Sequence, residues 1–176
     1  MEGGIFFGYF QHLLFRKLGL HAYISTGLCG KINRPLMEAS AIIPSLTYKD
    51  AAKAIDWLQE AFGFQHHLIV PGENGNIMHA ELRLDNVMIM IGSAQSGTEF
   101  SKRTKPPSEV GGFETQSPYI VVDDPDAIYE RAMKKGAKIA VDIKTEDYGG
   151  RGFSCYDPEG HLWSFGSYDP WDVKPK

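Results

Sequence analysis

The sequence contains an internal repeat whose two copies are offset by 73 residues. Three markers recur at this offset: Asp50 matches Asp123, the pair Ala54-Ile55 matches Ala127-Ile128, and Gly63 matches Gly136. In both copies the acidic residue precedes a helical pattern and the glycine follows it, as is typical of helix starts and ends. The repeat predicts two copies of one supersecondary unit, and 176 residues are enough for one domain built from two such halves.

Each copy is predicted to contain a strand, a helix and three further strands. The first copy places these at 41–48, 51–62, 64–70, 77–84 and 87–91. The second places its strands at 119–122, 138–143, 151–156 and 161–165, with a helix capped by Asp124 or Asp126 and running through Lys135. Strands follow from short β-branched and aromatic runs, and helices from apolar residues at helical spacing. The expected fold class is α+β with tandem βαβββ repeats, in halves at about 40–94 and 116–171 joined by an irregular loop at 92–115.

The second copy ends in a hairpin with a well-marked turn. Two glycines precede the strand RGFSCY, and the turn Asp157-Pro158-Glu159-Gly160 leads into the aromatic strand HLWSF. Pro158 presets φ at the second turn position, and Gly160 supplies flexibility where the chain re-enters a strand. This stretch, Tyr148 to Trp171, closes the predicted second half.

Residues 1–36 lie outside the repeat and differ from it. The apolar run from Ile5 to Phe15 is interrupted by two polar residues and is shorter than the roughly 20 residues that a membrane helix needs. No basic region precedes it, so we expect an amphipathic helix rather than a secretory signal. The segment is either an extension upstream of a start at Met37 or an arm that packs its aromatic face on this domain or on a partner subunit. The domain is therefore placed at 37–171, between this extension and a short tail at 172–176.

Composition narrows the classes of partner. A net charge of −4 and a pI near 5.8 provide no basic surface, so a small molecule or another protein is a better candidate than nucleic acid. The two cysteines lie far apart in the sequence, which is typical of a reducing compartment rather than a disulfide-stabilised protein. A cytoplasmic protein without membrane attachment is expected.

The tandem arrangement resembles the vicinal oxygen chelate superfamily, which includes glyoxalase I, extradiol dioxygenases and bleomycin-resistance proteins. The resemblance is carried by DAAKAIDWLQEAFGF near the front and by YGGRGFSCYDPEGHLWSF near the end, and the latter is most similar to the PhnB-like, bleomycin-resistance-like branch. It covers residues 40–171 and implies that the two halves form a cup of curved mixed sheets. It is more specific for fold than for function, because one scaffold serves isomerases, oxygenases and binding proteins.

In metal-dependent members of the superfamily, each half supplies two ligands to the cup from its first and last strands. These ligands are His, Glu or Gln, which suit divalent metals. Carried over position by position, the resemblance places the four ligand positions at Ile43 (or Pro44), Met90, Ser117 and Ser164. None of these side chains is a usual metal ligand. The resemblance therefore implies a member without the usual metal site, and no cofactor is expected.

A different metal site would use His79, Glu81 and His161. His79 and Glu81 alternate onto one face of a predicted strand, and His161 begins the last strand. The competing interpretation, which we favour, is the polar face of a half-solvated strand. Adjacent His66 and His67 are expected on opposite faces of their strand.

The turn before the closing hairpin offers another contact for a ligand. Gly149 and Gly150 allow close approach of backbone, and Arg151 beside Tyr148 offers a two-pronged guanidinium for an anionic group. A plain turn with a surface charge is the alternative. Cys155 has no activating partner nearby in the sequence, so we expect a buried structural thiol.

Alternation around the ligand positions predicts the lining of the cup. It nominates Met88, Met90, Leu162 and Ser164. The expected ligand-binding set also includes Ser117 and Tyr119 from the resemblance, and Tyr148 and Arg151 from the turn. Val87, Ile89, Trp163 and Phe165 are then expected to face the helices. Methionines adapt to irregular apolar shapes, so this cup suits an apolar or aromatic molecule, and core filling without a ligand is the alternative.

The expected function is metal-free binding of a small molecule, by analogy with antibiotic-binding relatives. One alternative is a metal-dependent lyase, isomerase or dioxygenase with an unusual ligand set, and another is a structural dimer module. A homodimer is expected, because members of the family commonly pair and the aromatic run in the extension adds apolar surface.

Overall fold

The computed structural model describes residues 41–172, and the extension predicted at 1–36 lies outside them. The first half contains β1 (Ser45–Tyr48), α1 (Ala51–Phe62), β2 (Gln65–Pro71), β3 (Ile77–Leu84) and β4 (Val87–Ser93). The second contains β5 (Tyr119–Val121), α2 (Pro125–Lys134), β6 (Lys138–Thr145), β7 (Arg151–Tyr156) and β8 (Leu162–Gly166). Short 3₁₀ turns lie in the connections at Glu73–Gly75 and Pro107–Glu109. The predicted tandem βαβββ order is confirmed.

Each half forms its own four-stranded mixed sheet. The strand orders are β1-β4-β3-β2 and β5-β8-β7-β6. In both sheets the first strand pairs in parallel with the last, and the remaining pairs are antiparallel. Ser45 is paired with Met90 and Tyr119 with Ser164, so equivalent strand positions lie 119 − 45 = 164 − 90 = 74 residues apart. The offset of 73 read from the sequence is therefore wrong by one for the first and last strands of the repeat. The third strands keep it, because Ala80 is paired with Ile91 and Phe153 with Phe165, and 153 − 80 = 73.

The start of the second helix also follows the offset of 74. Asp50 caps α1 by accepting a hydrogen bond from Lys53 N at 3.1 Å, and Asp124 caps α2 by accepting one from Ala127 N at 3.0 Å. Pro125 fits the first helical position, where its missing N–H costs nothing, and this fixes the cap at Asp124 rather than at Asp123. Both helices end at glycines with positive φ, +91° at Gly63 and +82° at Gly136, as predicted.

Several strand ends also differ from the prediction for local reasons. β1 begins only at Ser45, directly after Pro44, which has no N–H to give to a ladder. β8 begins at Leu162 because the N–H of His161 is taken by the Asp157 side chain at 3.0 Å. These shifts do not change which residues share a face.

One buried core connects the two halves. Phe62, at the end of α1, packs against Trp163 and Phe165 of the second sheet, with ring centroids 5.4 and 4.6 Å away. Arg131 of α2 in turn donates to the carbonyl oxygen of Phe62 at 3.1 Å. Ile89, Trp163 and Phe165 are buried toward the helices, as predicted, whereas Val87 at the start of β4 is 38% exposed.

The turn of the closing hairpin fastens the second half to the first. The Asp157 carboxylate accepts hydrogen bonds from the Tyr48 hydroxyl at 2.7 Å and from Trp163 Nε1 at 3.2 Å. The Glu159 carboxylate accepts from the backbone N–H groups of Lys49 and Asp50 at 2.6 and 2.8 Å, at the positive end of α1. The predicted turn is confirmed, and its acidic residues hold the halves together.

Neither helix in residues 41–172 has the length and apolar character required to cross a bilayer.

Candidate functional site

The second sheet has one face packed on the core and one face turned away from it. Phe153, Cys155, Trp163 and Phe165 are buried on the core face. The alternating residues form the outer face in directly opposed pairs, Gly152 with Gly166, Ser154 with Ser164 and Tyr156 with Leu162. Ser154 and Ser164 also share a hydrogen bond of 2.8 Å between their hydroxyl oxygens. This outer face is therefore small and polar at its centre.

A cavity of about 170 Å³ lies on this outer face, and we call it the tyrosine cavity. Its walls include the side chains of Tyr119, Tyr148 and Tyr168, and its floor includes Gly152, Ser154 and Ser164. The structure brings together four residues of the predicted ligand-binding set around it, namely Tyr119, Tyr148, Arg151 and Ser164. Leu162 lies on the same face further along β8, and Ser117 is exposed before β5.

Hydrogen bonds and ring contacts hold the tyrosine walls in place. The Tyr119 hydroxyl donates to the Tyr168 carbonyl oxygen at 2.9 Å, and burial raises the pKa of Tyr119, so its phenol stays neutral at physiological pH. The rings of Tyr148 and Tyr168 meet edge to face, with centroids 5.3 Å apart and planes at 83°. Two walls of the cavity thus stand at nearly a right angle.

Glycines make this arrangement sterically possible. A Cβ at Gly150 would lie 2.6 Å from Tyr168 N, and Gly150 also has a φ of +76° that side chains rarely adopt. A Cβ at Gly152 would lie 2.7 Å from the Phe165 carbonyl oxygen. Gly150 and Gly152 therefore allow close packing against the backbone of the segment that follows β8 and of β8 itself, and the close approach to a ligand stays a prediction.

Arg151 does not offer a free guanidinium to an anion. Its Nε and Nη2 atoms donate to the two carboxylate oxygens of Asp126 on α2 at 2.8 and 2.9 Å. This ion pair lowers the pKa of Asp126. Arg151 lies two residues before the buried Phe153 on β7, so the two side chains leave the strand on the same side. The Arg151 side chain therefore points toward α2. The predicted anion-binding role therefore finds no support in the geometry.

The outer face of the first sheet has a different character. Met88 and Met90 lie there opposite Arg83 and Glu81, away from the tyrosine cavity, whose lining comes entirely from the second half. The Glu81 carboxylate stands between two imidazoles, 3.1 Å from His79 Nε2 and 3.7 Å from His67 Nε2. A bulge between His66 and Leu68 displaces the register of β2 beside this cluster.

The residues present do not fit the metal site that the fold family implies. Ile43 has an aliphatic side chain, Met90 a thioether, and Ser117 and Ser164 hydroxyls, whereas divalent metals are held by imidazole, carboxylate or thiolate. Within residues 41–172, no three His, Cys, Asp or Glu side chains are arranged so that they could hold a metal ion, and this includes the cluster of His67, His79 and Glu81.

The alternative ligand set is not brought together either. His161 is 4% exposed, with Nδ1 against a Glu114 carboxylate oxygen at 2.5 Å and Nε2 against the Thr47 carbonyl oxygen at 3.0 Å. Its ring also packs on Tyr48, with centroids 4.4 Å apart. One nitrogen of His161 is thus occupied by the loop between the halves and the other by β1 of the first half, and neither contacts the His79–Glu81 pair.

A second cavity, of about 370 Å³, opens between the halves near the start of α2. Its lining includes Leu84, Asp85 and Val87 around the β3–β4 turn and Ile120 and Asp123 from the second half. The β3–β4 turn has two residues, whereas the β7–β8 turn is longer and fills the corresponding space beside α1 with Glu159 and His161. This cavity does not include any residue of the predicted set.

Cys155 is fully buried, as predicted for a structural thiol. Burial, with a smaller contribution from the nearby Asp157 carboxylate, raises the pKa of Cys155 to about 12. The thiolate that nucleophilic chemistry requires is therefore disfavoured.

Sequence reasoning missed Glu146, Ser154 and Tyr168 as lining residues. Ser154 could have been found, because it alternates with the buried Phe153 and Cys155 and must face outward. Glu146 and Tyr168 lie beyond the ends of β6 and β8, where strand alternation no longer predicts which way a side chain points.

In comparisons with known proteins, residues 40–165 match the family model described as the Glyoxalase/Bleomycin resistance protein/Dioxygenase superfamily. An uncharacterized protein of Mycobacterium bovis is 32% identical over 126 residues, which are 72% of this chain and 82% of that protein. The crystal structure of TioX from Micromonospora sp. ML1 is similar at 30% identity with a TM-score of 0.58, over 73% of this chain and 98% of TioX. The fosfomycin resistance protein FosX from Mesorhizobium loti shares the fold, at 14% identity and a TM-score of 0.53, over 77% of this chain and 98% of FosX.

Proposed function

Because the chain belongs to the Glyoxalase/Bleomycin resistance protein/Dioxygenase superfamily, we propose that it binds a small aromatic or apolar molecule in the tyrosine cavity without a catalytic metal. Within the superfamily, the closing motif YGGRGFSCYDPEGHLWSF motivates its assignment to the PhnB-like, bleomycin-resistance-like branch. The fold itself does not decide between binding and catalysis, since fosfomycin resistance and lactoylglutathione lyase proteins share it.

The observation that carries this proposal is the combination of aromatic walls with a small polar floor. Ligand sites are typically lined by aromatic and apolar side chains with a few placed polar groups. In the tyrosine cavity these groups are the hydroxyls of Ser154 and Ser164. The family resemblance implies that Ser164 stands at the fourth ligand position of the metal site. A hydroxyl pair at this position supports hydrogen bonding to a ligand in place of metal coordination.

The volume of the cavity limits what enters it. About 170 Å³ is smaller than the roughly 300–1,000 Å³ of pockets that enclose a drug-sized ligand. One ring or one branched substituent therefore occupies the cavity while the rest of the molecule lies outside. Tyr148, whose side chain is 68% exposed, borders the opening.

Homodimer formation is part of the same proposal. The outer faces of both sheets carry half-buried side chains such as Met88, Met90 and Leu162, which a second copy would cover. Pairing would extend the walls around a ligand that protrudes from the cavity. Sedimentation of the full chain at micromolar concentration is expected to give a species of about twice 19.6 kDa, and a monomer alone would contradict this part.

Two measurements on protein purified without chelators test the binding function. Calorimetric titration with 4-tert-butylphenol, a soluble single-ring probe, is expected to show saturable binding. Mass spectrometry of metals is expected to show Zn, Ni, Fe and Mn well below one per chain. One tightly held metal per chain, lost in His79→Ala, would favour the enzyme alternative, and the absence of any aromatic binding would contradict the proposal.

A further inference from the structure

We propose that the tyrosine cavity selects an organic cation, in the form of a tertiary or quaternary ammonium group attached to an apolar or aromatic body. This inference rests on the proposed binding function and specifies which group of the ligand enters the cavity. It is carried by the geometry of three tyrosine rings and by the pairing of the charges around them.

The rings provide a partial aromatic box. Tyr148 and Tyr168 stand at 83° to each other, and Tyr119 is tied to Tyr168 by its hydrogen bond of 2.9 Å. The ring of Tyr119 also lies against the backbone of β8, where a Cβ at Gly166 would come 3.2 Å from its ring carbons. Aromatic faces carry negative electrostatic potential, and several rings around one small space are how proteins recognise quaternary ammonium groups.

The charges that line the cavity also favour a cation. Glu146 and Arg151 are its charged lining residues, and Arg151 is already neutralised by two hydrogen bonds to Asp126. The Glu146 carboxylate is paired with Lys144 at 3.1 Å, and the Lys144 side chain is 59% exposed to solvent. An anion that enters the cavity would meet the Glu146 carboxylate and three aromatic rings, and the guanidinium that lines the cavity is already paired with Asp126. An entering cation would meet the same groups favourably.

The sharpest test compares two probes of nearly equal shape. 4-tert-Butylphenol and (4-hydroxyphenyl)trimethylammonium have nearly the same shape. The atom that carries the three methyl groups is a neutral carbon in the first and a positively charged nitrogen in the second. We expect calorimetry to show that the cation binds roughly 3- to 30-fold more tightly, since cation–π contacts contribute on this scale. Equal or weaker binding of the cation would overturn the inference and leave the binding function standing. Binding of neither probe would overturn both.

Variants at Tyr148 separate ring electrostatics from apolar contact. Tyr148→Phe keeps the ring and is expected to keep most of the preference for the cation. Tyr148→Leu keeps apolar surface without a π system and is expected to reduce the preference at least 2-fold while affecting the neutral probe less. Because Tyr148 is exposed, both variants are expected to fold, which thermal melting verifies. An unchanged preference in Tyr148→Leu would contradict a role for this ring.

Discussion

Asp157 accepts hydrogen bonds from four donors that belong to both halves of the fold. They are the Tyr48 hydroxyl, Trp163 Nε1 and the backbone N–H groups of Glu159 and His161. The carboxylate is 5% exposed, so these donors have little access to water if it is removed. A residue that the sequence marked only as part of a turn is therefore central to the contact between the halves.

Asp157→Ala is expected to be strongly destabilising. Each buried donor left without an acceptor costs about 1–3 kcal/mol, so the free energy of unfolding is expected to fall by about 3–5 kcal/mol. Urea denaturation measures this change. Asp123→Ala, at an exposed carboxylate, is the matched control and is expected to change stability by less than about 0.5 kcal/mol. Similar effects for the two variants would contradict the buried network.

The raised pKa of the buried Cys155 thiol predicts that the protein loses stability at alkaline pH. The unfolded chain releases this thiol proton near pH 8.5, whereas the native protein retains it up to about pH 12. Between these values the unfolded state binds fewer protons, so the free energy of unfolding falls as pH rises, by about 1.4 kcal/mol per pH unit for one proton. Burial also raises the pKa of Tyr48, which adds to the decline above pH 10.

Urea denaturation from pH 7 to 10 checks this expectation. Cys155→Ala removes the thiol and is expected to flatten the decline between about pH 8.5 and 10, while Tyr48 and Cys29 remain common to both proteins. A pH dependence that is unchanged in Cys155→Ala would show that the thiol is not the cause.

The predicted ligand-binding residues differ in how well the sequence located them, and strand alternation explains the difference. Ser164 was placed by the family resemblance and Tyr119 was named as a neighbour of Ser117, and the structure pairs these two residues directly beside the tyrosine cavity. Arg151 was assigned to the ligand although it alternates in phase with Phe153, which places it toward α2. Glu146 lies past a strand end and was not predictable from periodicity.

At the scale of elements, the sequence was sufficient for their order and insufficient for the relation between the halves. Helix caps and turn residues such as Asp50, Gly63 and Pro158 specify local structure, and local patterns predicted the eight strands and two helices found in residues 41–172. The placement of Met90 and Ser164 on separate outer faces depends on packing between the halves. The pattern of apolar residues within one half cannot predict how that half packs against the other.

The β6–β7 connection shows how a single glycine supports the cavity. Gly150→Ala would place a Cβ 2.6 Å from Tyr168 N at a φ of +76°, so the turn and the wall formed by Tyr168 must shift. We expect probe binding to be lost and the melting temperature to fall.

Gly112→Ala is the control for backbone strain alone. Gly112 has a φ of +80° and open space around its Cβ position, so the substitution costs about 1 kcal/mol without a clash. Calorimetric titration with 4-tert-butylphenol compares the two variants. Retention of binding in Gly150→Ala would contradict the role given to this close approach.

At the scale of the whole molecule, the two halves share a fold but not a chemistry. The first sheet presents Met88, Met90 and a His79–Glu81 pair on its outer face, and the second presents serines and tyrosines. The repeat has therefore kept its topology while the outer faces have diverged. We propose that ligand binding belongs to the second half.

Titration of 4-tert-butylphenol into the wild type, Ser164→Trp and Ser108→Trp tests this assignment most directly. Ser164 borders the tyrosine cavity, so an indole at this position is expected to fill the space and abolish binding while the melting temperature changes little. Ser108 is exposed in the loop between the halves, and Ser108→Trp is expected to bind like the wild type. If position 164 were packed core instead, overpacking would cost about 1–3 kcal/mol. A large fall in melting temperature in Ser164→Trp, or undiminished binding in that variant, would contradict the account.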